Sequence, residues 1–201
     1  KDYYKKPYTG GSEVIDAATN SLSEIMRSGD FGYSFIAALA DDPDNNVIIT
    51  YNKTSVTDGL KIWWDYNHNS PDEKHMVPVE TGYDYNPTVN LFHELAHARF
   101  NISGHENTIW YTETLPPNEK GEYRMKDIMR CEIYTTHMEN LLRADMGLPL
   151  RTHYGLRKIG NDYVGVEPII YPGIKTSRYV DVTGKIHYYG LPISIVGYKY
   201  K

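Results

Sequence analysis

Apolar side chains recur at helical spacing at Val14, Ile15, Ala18, Leu22, Ile25 and Met26, which predicts a helix capped by Ser12 and ending near Gly29. The acidic, proline-containing run from Asp41 to Asn46 then reads as a turn. Beyond it the pattern changes. Val47 to Tyr51 and Leu60 to Tyr66 are rich in β-branched and aromatic residues that suit a pleated surface, and the polar stretch between them predicts a hairpin. Asn67 to Glu73 reads as loop, and so does Gly82 to Pro87. A second helix is expected from Pro87, since proline is tolerated in a first helical turn, through His93 and His97 to about Phe100. Asn101 to Tyr123 is irregular, with Pro116, Pro117 and Gly121. Met125, Ile128, Met129, Met138, Leu141 and Leu142 predict a third helix from about Arg124 to Met146, stopped by Gly147-Leu148-Pro149. The last fifty or so residues turn to strands: Tyr163 to Val166, Arg178 to Val182, Lys185 to Tyr189 and Pro192 to Tyr200, with a hairpin turn at Thr183-Gly184.

At 201 residues the chain suits one domain with a real core, residues 1–201, and its 40% hydrophobic and 23% charged content is that of an ordinary globular protein. A net charge of −5, with no basic run beyond Lys5-Lys6, argues against nucleic acid as a partner, because phosphate binding needs clustered cations. The longest apolar stretch, Phe35 to Ala40, is far short of the roughly 20 residues that span a bilayer. Cys131 is the sole cysteine, so no intrachain disulfide holds the fold, as suits a reducing cytosol. The 19 tyrosines suit half-buried strands and grooves that handle polypeptide. The opening Lys1-Asp2-Tyr3, without Met or a signal-peptide pattern, reads as a trimmed or processed start.

The candidate chemistry lies in His93-Glu94-Leu95-Ala96-His97. Residues four apart share one helical face, so both imidazoles can reach one Zn²⁺, with Glu94 beside it as general base. A zinc ion lowers the pKa of bound water toward neutrality, which is why such a site needs a base rather than a nucleophilic side chain. Catalytic zinc takes a third protein ligand. Glu132 is the leading candidate, because a carboxylate between Met129 and Ile133 on a helix is costly to bury unless something pairs with it. Glu139, His137 and His105 compete for that role. Glu139, seven residues further on and approximately on the same helical face, together with Asn140, is alternatively suited to holding a ligand histidine from behind.

The stretch Asn90-Leu91-Phe92-His93-Glu94-Leu95-Ala96-His97, followed by Arg130-Cys131-Glu132, Glu139-Asn140, Arg143 and Gly147-Leu148-Pro149-Leu150-Arg151, resembles the NleD-type effector metallopeptidases of bacterial pathogens. The likeness covers about residues 47 to 155, and its specific part is the HExxH core. It implies a zinc endopeptidase that is secreted or translocated into the cytosol of a host or target cell as an effector or toxin. Its protein substrate would be a host signalling protein such as a kinase. A looser likeness is to the clostridial neurotoxin light chains, whose third zinc ligand is a glutamate on a later helix and whose Arg-x-x-Tyr pair supports the transition state. Here that pair is Arg151-Thr152-His153-Tyr154, which gives Arg151 and Tyr154 catalytic roles. Arg151 reads equally well as a cation closing the helix that ends near Met146.

The expected fold is therefore α+β and zincin-like: a small mixed sheet, an active-site helix and a second, ligand-bearing helix, in a monomer. The aromatic segment Leu60 to Tyr66 is the expected sheet edge for a substrate strand. Two other classes fit parts of the pattern. A non-enzymatic adaptor with structural zinc needs a fourth protein ligand such as His105 or His137, and a zinc amidohydrolase would act on a non-peptide amide.

Overall fold

The computed structural model describes residues 12–52, 55–67, 77–79, 81–104, 106–115, 121–122, 124–159, 162–168, 170–171, 176–180 and 186–190. Among these the chain is mixed α/β, with four helices and several small sheets. The helices are α1 (Ser12–Ser28), α2 (Asp30–Ala40), α3 (Pro87–Ile102) and α4 (Arg130–Asp145). The first strands are β1 (Ile48–Tyr51), β2 (Val56–Asp58), β3 (Lys61–Trp64), β4 (Val77–Val79) and β5 (Gly82–Asp84). β6 (Ile109–Leu115) and β7 (Arg124–Met129) separate α3 from α4. β8 (His153–Ile159), β9 (Asp162–Pro168), β10 (Ile170–Tyr171), β11 (Thr176–Val180) and β12 (Ile186–Gly190) complete the order.

α1 follows its predicted bounds and turns Val14, Ser21 and Ile25 inward. α2 was not foreseen. The apolar run from Phe35 to Ala40 is its second half, and Phe35 and Ile36 pack into the core beside Phe92. Its first turn lies beside the Asp145 carboxylate at the end of α4, so close that a Cβ on Gly29 would stand 2.5 Å from Asp145 Oδ2. Gly32 allows α2 to lie directly against the end of α1, where a Cβ would stand 2.2 Å from the Ile25 carbonyl oxygen.

The hairpin expected from Val47 to Tyr66 has a different topology. β1 and β3 are parallel, with Ile48 opposite Lys61 and Tyr51 opposite Trp64, while β2 forms the antiparallel hairpin with β3 through a turn at Gly59 (φ 62°). The order is β1-β3-β2, so Leu60 to Tyr66 holds the central strand and is not the edge. Three residues of β2 were enough to displace it. β2 reads exposed, half-buried, exposed, too short an alternation to stand out in the sequence. For the same reason β5 lies in the Gly82 to Pro87 stretch expected to be loop, paired with β4.

Trp64 and Ile62 of β3 bury their side chains against α3, and the Trp64 indole N–H donates to the Pro87 carbonyl at 3.0 Å. α3 begins as predicted, with Pro87 in its first turn and Asn86 as cap, the Asn86 side chain accepting from the Val89 N–H at 3.1 Å. The helix expected from Arg124 starts six residues late. Arg124–Met129 is strand β7, paired with β6, because Met125, Ile128 and Met129 match helical spacing locally while their backbone bonds are taken by residues 109–115. α4 then gains its first-turn partner in trans, the Asn107 side chain accepting the Cys131 N–H at 3.2 Å. It ends with Gly147 at φ 68° and the Leu148 N–H bonded to the Arg143 carbonyl at 2.8 Å.

α3 packs along α4, and the main core gathers Ile25, Phe35, Trp64, Leu91, Phe92, Leu95 and Leu142 about them. Beyond α4 the chain returns to β4 through a bridge between Val79 and Arg151 and a bond from the Thr152 N–H to the Pro78 carbonyl. β8 pairs with β9, and β10-β11-β12 form a separate antiparallel sheet. The expected strand Pro192 to Tyr200, the turn at Thr183-Gly184 and His105 lie outside the described residues. Among the described residues no helix is long and apolar enough to cross a membrane.

Gly32→Ala tests the contact between α1 and α2. The added methyl meets backbone, so the variant should lose about 1–3 kcal/mol in urea unfolding despite alanine's better helix propensity. A neutral or stabilised variant would show that the helices have room to part.

Candidate metal centre

His93 and His97 project from one face of α3, their rings 4.9 Å apart, toward Glu132 in the first turn of α4. Glu132 Oε2 lies 3.6 Å from His93 Nε2 and 3.3 Å from His97 Nε2. One donor atom from each of the three falls within 4.8 Å of the others, so the group could hold a single ion. Zinc bonds of about 2.0–2.2 Å at tetrahedral angles separate neighbouring ligand atoms by roughly 3.3–3.6 Å, which matches both histidine–glutamate separations. Two imidazoles and one carboxylate also suit zinc better than the all-oxygen shells of calcium or magnesium. His137 is buried elsewhere on α4, outside this group, and burial lowers its pKa to about 4, so it stays neutral.

Behind the donors stands Glu139. Its Oε2 accepts from His93 Nδ1 at 3.0 Å, a contact that directs Nε2 of the same ring toward Glu132. The same oxygen accepts from Arg151 at 2.6 Å, and Oε1 accepts from Arg143 Nε at 2.7 Å. Arg143 continues to Asp84 on β5 at 2.7 Å. Burial alone would raise the Glu139 carboxyl, but Arg151, Arg143 and the His93 bond hold it well below the usual carboxylate range. Glu139 thus sits one step behind the donor triad, not in it. Asn140 does not hold a histidine. Both ends of its amide are engaged by the Arg151 backbone, at 2.7 and 2.9 Å, which ties the chain after α4 to the helix.

Arg151 is buried, with its guanidinium bonded to Glu139, to the His153 carbonyl at 3.1 Å and to the Tyr154 carbonyl. Tyr154 packs against Ile128 and Ile133 and hydrogen-bonds Glu132; burial first, and then the Glu132 charge, push its pKa above the usual phenol value. Glu94 is buried next to His93, and the Thr57 hydroxyl on β2 donates to its Oε2 at 2.7 Å. The wholly buried Thr135 hydroxyl lies 3.3 Å from His93 Nε2 and 3.5 Å from His97 Nε2 and donates to the Glu132 carbonyl at 3.1 Å. Neither threonine was picked from the sequence. Thr135 falls three positions after Glu132, on the same helical face, and could have been found that way; nothing local marks Thr57.

The metal-free centre is charged. Burial alone would lower the pKa of both histidines, but Glu132 and Glu139 for His93, and Cys131 and Glu132 for His97, push each up to about 9. Glu132 is held far below its usual range by the same pairing, against the opposing effect of burial.

A family model described as "Effector protein" matches residues 11–154, a span from the start of α1 to Tyr154 that takes in every residue of this centre. The chain belongs to the Peptidase M91 family of effector proteins. No curated protein and no solved structure matches it. As a member of M91 the chain is a peptidase of metallo-type, and its His93–His97–Glu132 group is a possible site for the metal.

Glu132 and Glu139 should separate on substitution. Glu132→Ala is expected to weaken zinc binding in competitive chelation far more than Glu139→Gln, which removes an outer partner worth about 10–100-fold. Glu139→Gln should instead cost about 3–5 kcal/mol of stability, because Arg143 and Arg151 lose their buried counter-charge. The reverse ranking in chelation would move the ligand to Glu139.

The raised histidines also set a pH dependence. In the metal-free chain their pairing with Glu132 stabilises fully below the unfolded value of about 6.5 and is lost as pH rises through about 9. Metal needs both rings neutral, so protons compete with it. The rise in Tm on adding zinc should therefore grow between about pH 6.5 and 9. A rise that shrinks over that range would show that the histidines are not the ligands.

Proposed function

We propose that this M91 peptidase is a zinc-dependent endopeptidase with a zincin-like arrangement, built as one domain, in which His93, His97 and Glu132 hold the metal and Glu94 is the general base. The observation that carries the reading is the meeting of two imidazole Nε2 atoms and one carboxylate oxygen at ligand spacing, directly beside a buried second carboxylate. When bound there, a zinc ion would polarise the scissile carbonyl and acidify a water molecule. Glu94 takes the proton from that water as it attacks and delivers it to the amine nitrogen as the C–N bond breaks. The Tyr154 hydroxyl, next to Glu132, is suited to donate to the oxyanion. Arg151 supports that role by holding the Tyr154 carbonyl and Glu139.

The substrate is a protein segment, with a host signalling protein such as a kinase as the expected class. It would bind as an added strand on β2, which is an edge among the described residues and lies against α3 on the Glu94 side. Membership of an effector family supports secretion or translocation into the cytosol of a host or target cell.

The decisive comparison is quantitative proteomics of a host-cell lysate treated with wild type or with Glu94→Gln. New protein termini should form only with wild type, while both proteins carry one zinc per chain. Cleavage by Glu94→Gln, or the absence of any wild-type-dependent terminus, would overturn the reading.

A further inference from the structure

A buried carboxylate that serves as a base faces two demands at once. It must be held, or it will waste rate in unproductive rotamers, and one oxygen must stay free to take the proton. Glu94 lies on the well-packed face of α3 and is buried, so the surrounding protein has to supply the holding bond. Among the described residues its side-chain partner is Thr57, and the bond runs to one oxygen only, Oε2, at 2.7 Å. Oε1 carries no such contact among the described residues.

Thr57 has a second neighbour. Its hydroxyl also lies 3.1 Å from the Glu94 backbone carbonyl. A hydroxyl has one hydrogen and two lone pairs, so it donates to one of these acceptors at a time. While Glu94 is ionised, the shorter, charge-assisted bond to Oε2 takes the hydrogen. Once Oε1 has accepted a proton, Oε2 is the carbonyl oxygen of the carboxylic acid and still accepts from the hydroxyl. One side chain thus satisfies the base in both of its protonation states.

We infer that Thr57 is the positioning residue for Glu94: from β2 it fixes Oε2, leaves Oε1 to take the proton, and keeps the carboxyl partnered after proton transfer. The inference rests on the peptidase reading above for the role of Glu94, but not for the Thr57–Glu94 bond itself. Its place in the fold matters too. β2 reads exposed at Val56, half-buried at Thr57 and exposed at Asp58, so Thr57 faces α3 from the strand proposed to receive the substrate. A segment added to β2 would pin the backbone that carries the holding hydroxyl.

Two measurements test this, and they fail separately from the peptidase reading. The first needs no substrate. A double-mutant cycle of Thr57→Val, Glu94→Ala and the pair, read by urea unfolding, should give coupling of about tenfold or more in the unfolding constant, as expected for a hydrogen bond to a charged group. Coupling below about twofold would overturn the inference whatever the lysate experiment finds. The second uses a substrate from the lysate comparison. Thr57→Val should lower kcat about 10–100-fold, with KM and zinc content close to wild type and Tm lowered only by the few degrees that loss of one such bond implies, and Thr57→Ser should restore most of the rate because it keeps the hydroxyl. Equal loss in the Val and Ser variants, or near-wild-type kcat in Thr57→Val beside an inactive Glu94→Gln, would remove Thr57 from the mechanism and leave the peptidase reading standing.

Discussion

Glu139 carries a full negative charge in a place where water cannot reach it, and much of the centre follows from how that charge is balanced. A lone carboxylate there would be protonated, and a protonated Glu139 could no longer accept from His93 with the same strength. Arg143 and Arg151 prevent this, one from the same helix and one from the chain beyond it, and Asp84 on β5 offsets the second positive charge. Two carboxylates and two guanidinium groups cancel. Such a cluster adds little net stability, since desolvation consumes most of what pairing returns, but removing any one member leaves a buried charge exposed to the full penalty. Its value is positional. The His93 ring is fixed, so its Nε2 points where Glu132 and His97 point.

This arrangement explains why small elements far apart in the chain are needed. The β4–β5 hairpin brings Asp84 to Arg143, and the bridge from Val79 to Arg151 holds the segment that carries the second guanidinium. Asn140 fastens that segment to α4 through both polar atoms of its amide. The proposed ligands come from two helices only, yet their orientation depends on residues spread from 84 to 151. A metal ion bound between α3 and α4 would add a further cross-link at the seam where the helices meet, so metal affinity and folding are coupled.

The sequence made the proposed site residues legible and concealed much of their support. HExxH is visible because its chemistry depends on helical spacing, and α3 appeared almost within its predicted bounds because Asn86-Pro87 mark its start. Glu132 stood out as a carboxylate between the apolar Met129 and Ile133, and Glu139 as a second one seven residues on. By contrast, Arg124–Met129 looked helical because three apolar residues matched the 3.6 period, and only pairing with β6 makes them strand. β2, β4 and β5 are three residues each, below the length at which alternation can be recognised. α2 was hidden differently: the residue before it is Gly29, which has no side chain to cap the first turn, so the usual capping signal was absent. The reversal of the Val47 to Tyr66 topology had the largest functional consequence, because it moved the sheet edge from the aromatic segment to β2.

That move places the edge where it can bear on the chemistry. Had Leu60 to Tyr66 been the edge, a bound segment would lie along a strand that meets α3 through Ile62 and Trp64, both fully buried apolar contacts with no polar link to Glu94 among the described residues. On β2 the neighbour of Glu94 is a hydroxyl, and the flanking side chains Val56 and Asp58 are exposed. The division of labour follows from the pleat: alternate residues face opposite ways, so one strand can offer side chains to solvent and a hydroxyl to the helix beneath it. Two independent demands therefore converge on three residues. The central strand β3 secures α3 through the core, which frees the short edge strand to hold Glu94, and the rigidity of the first is what gives the second its precision.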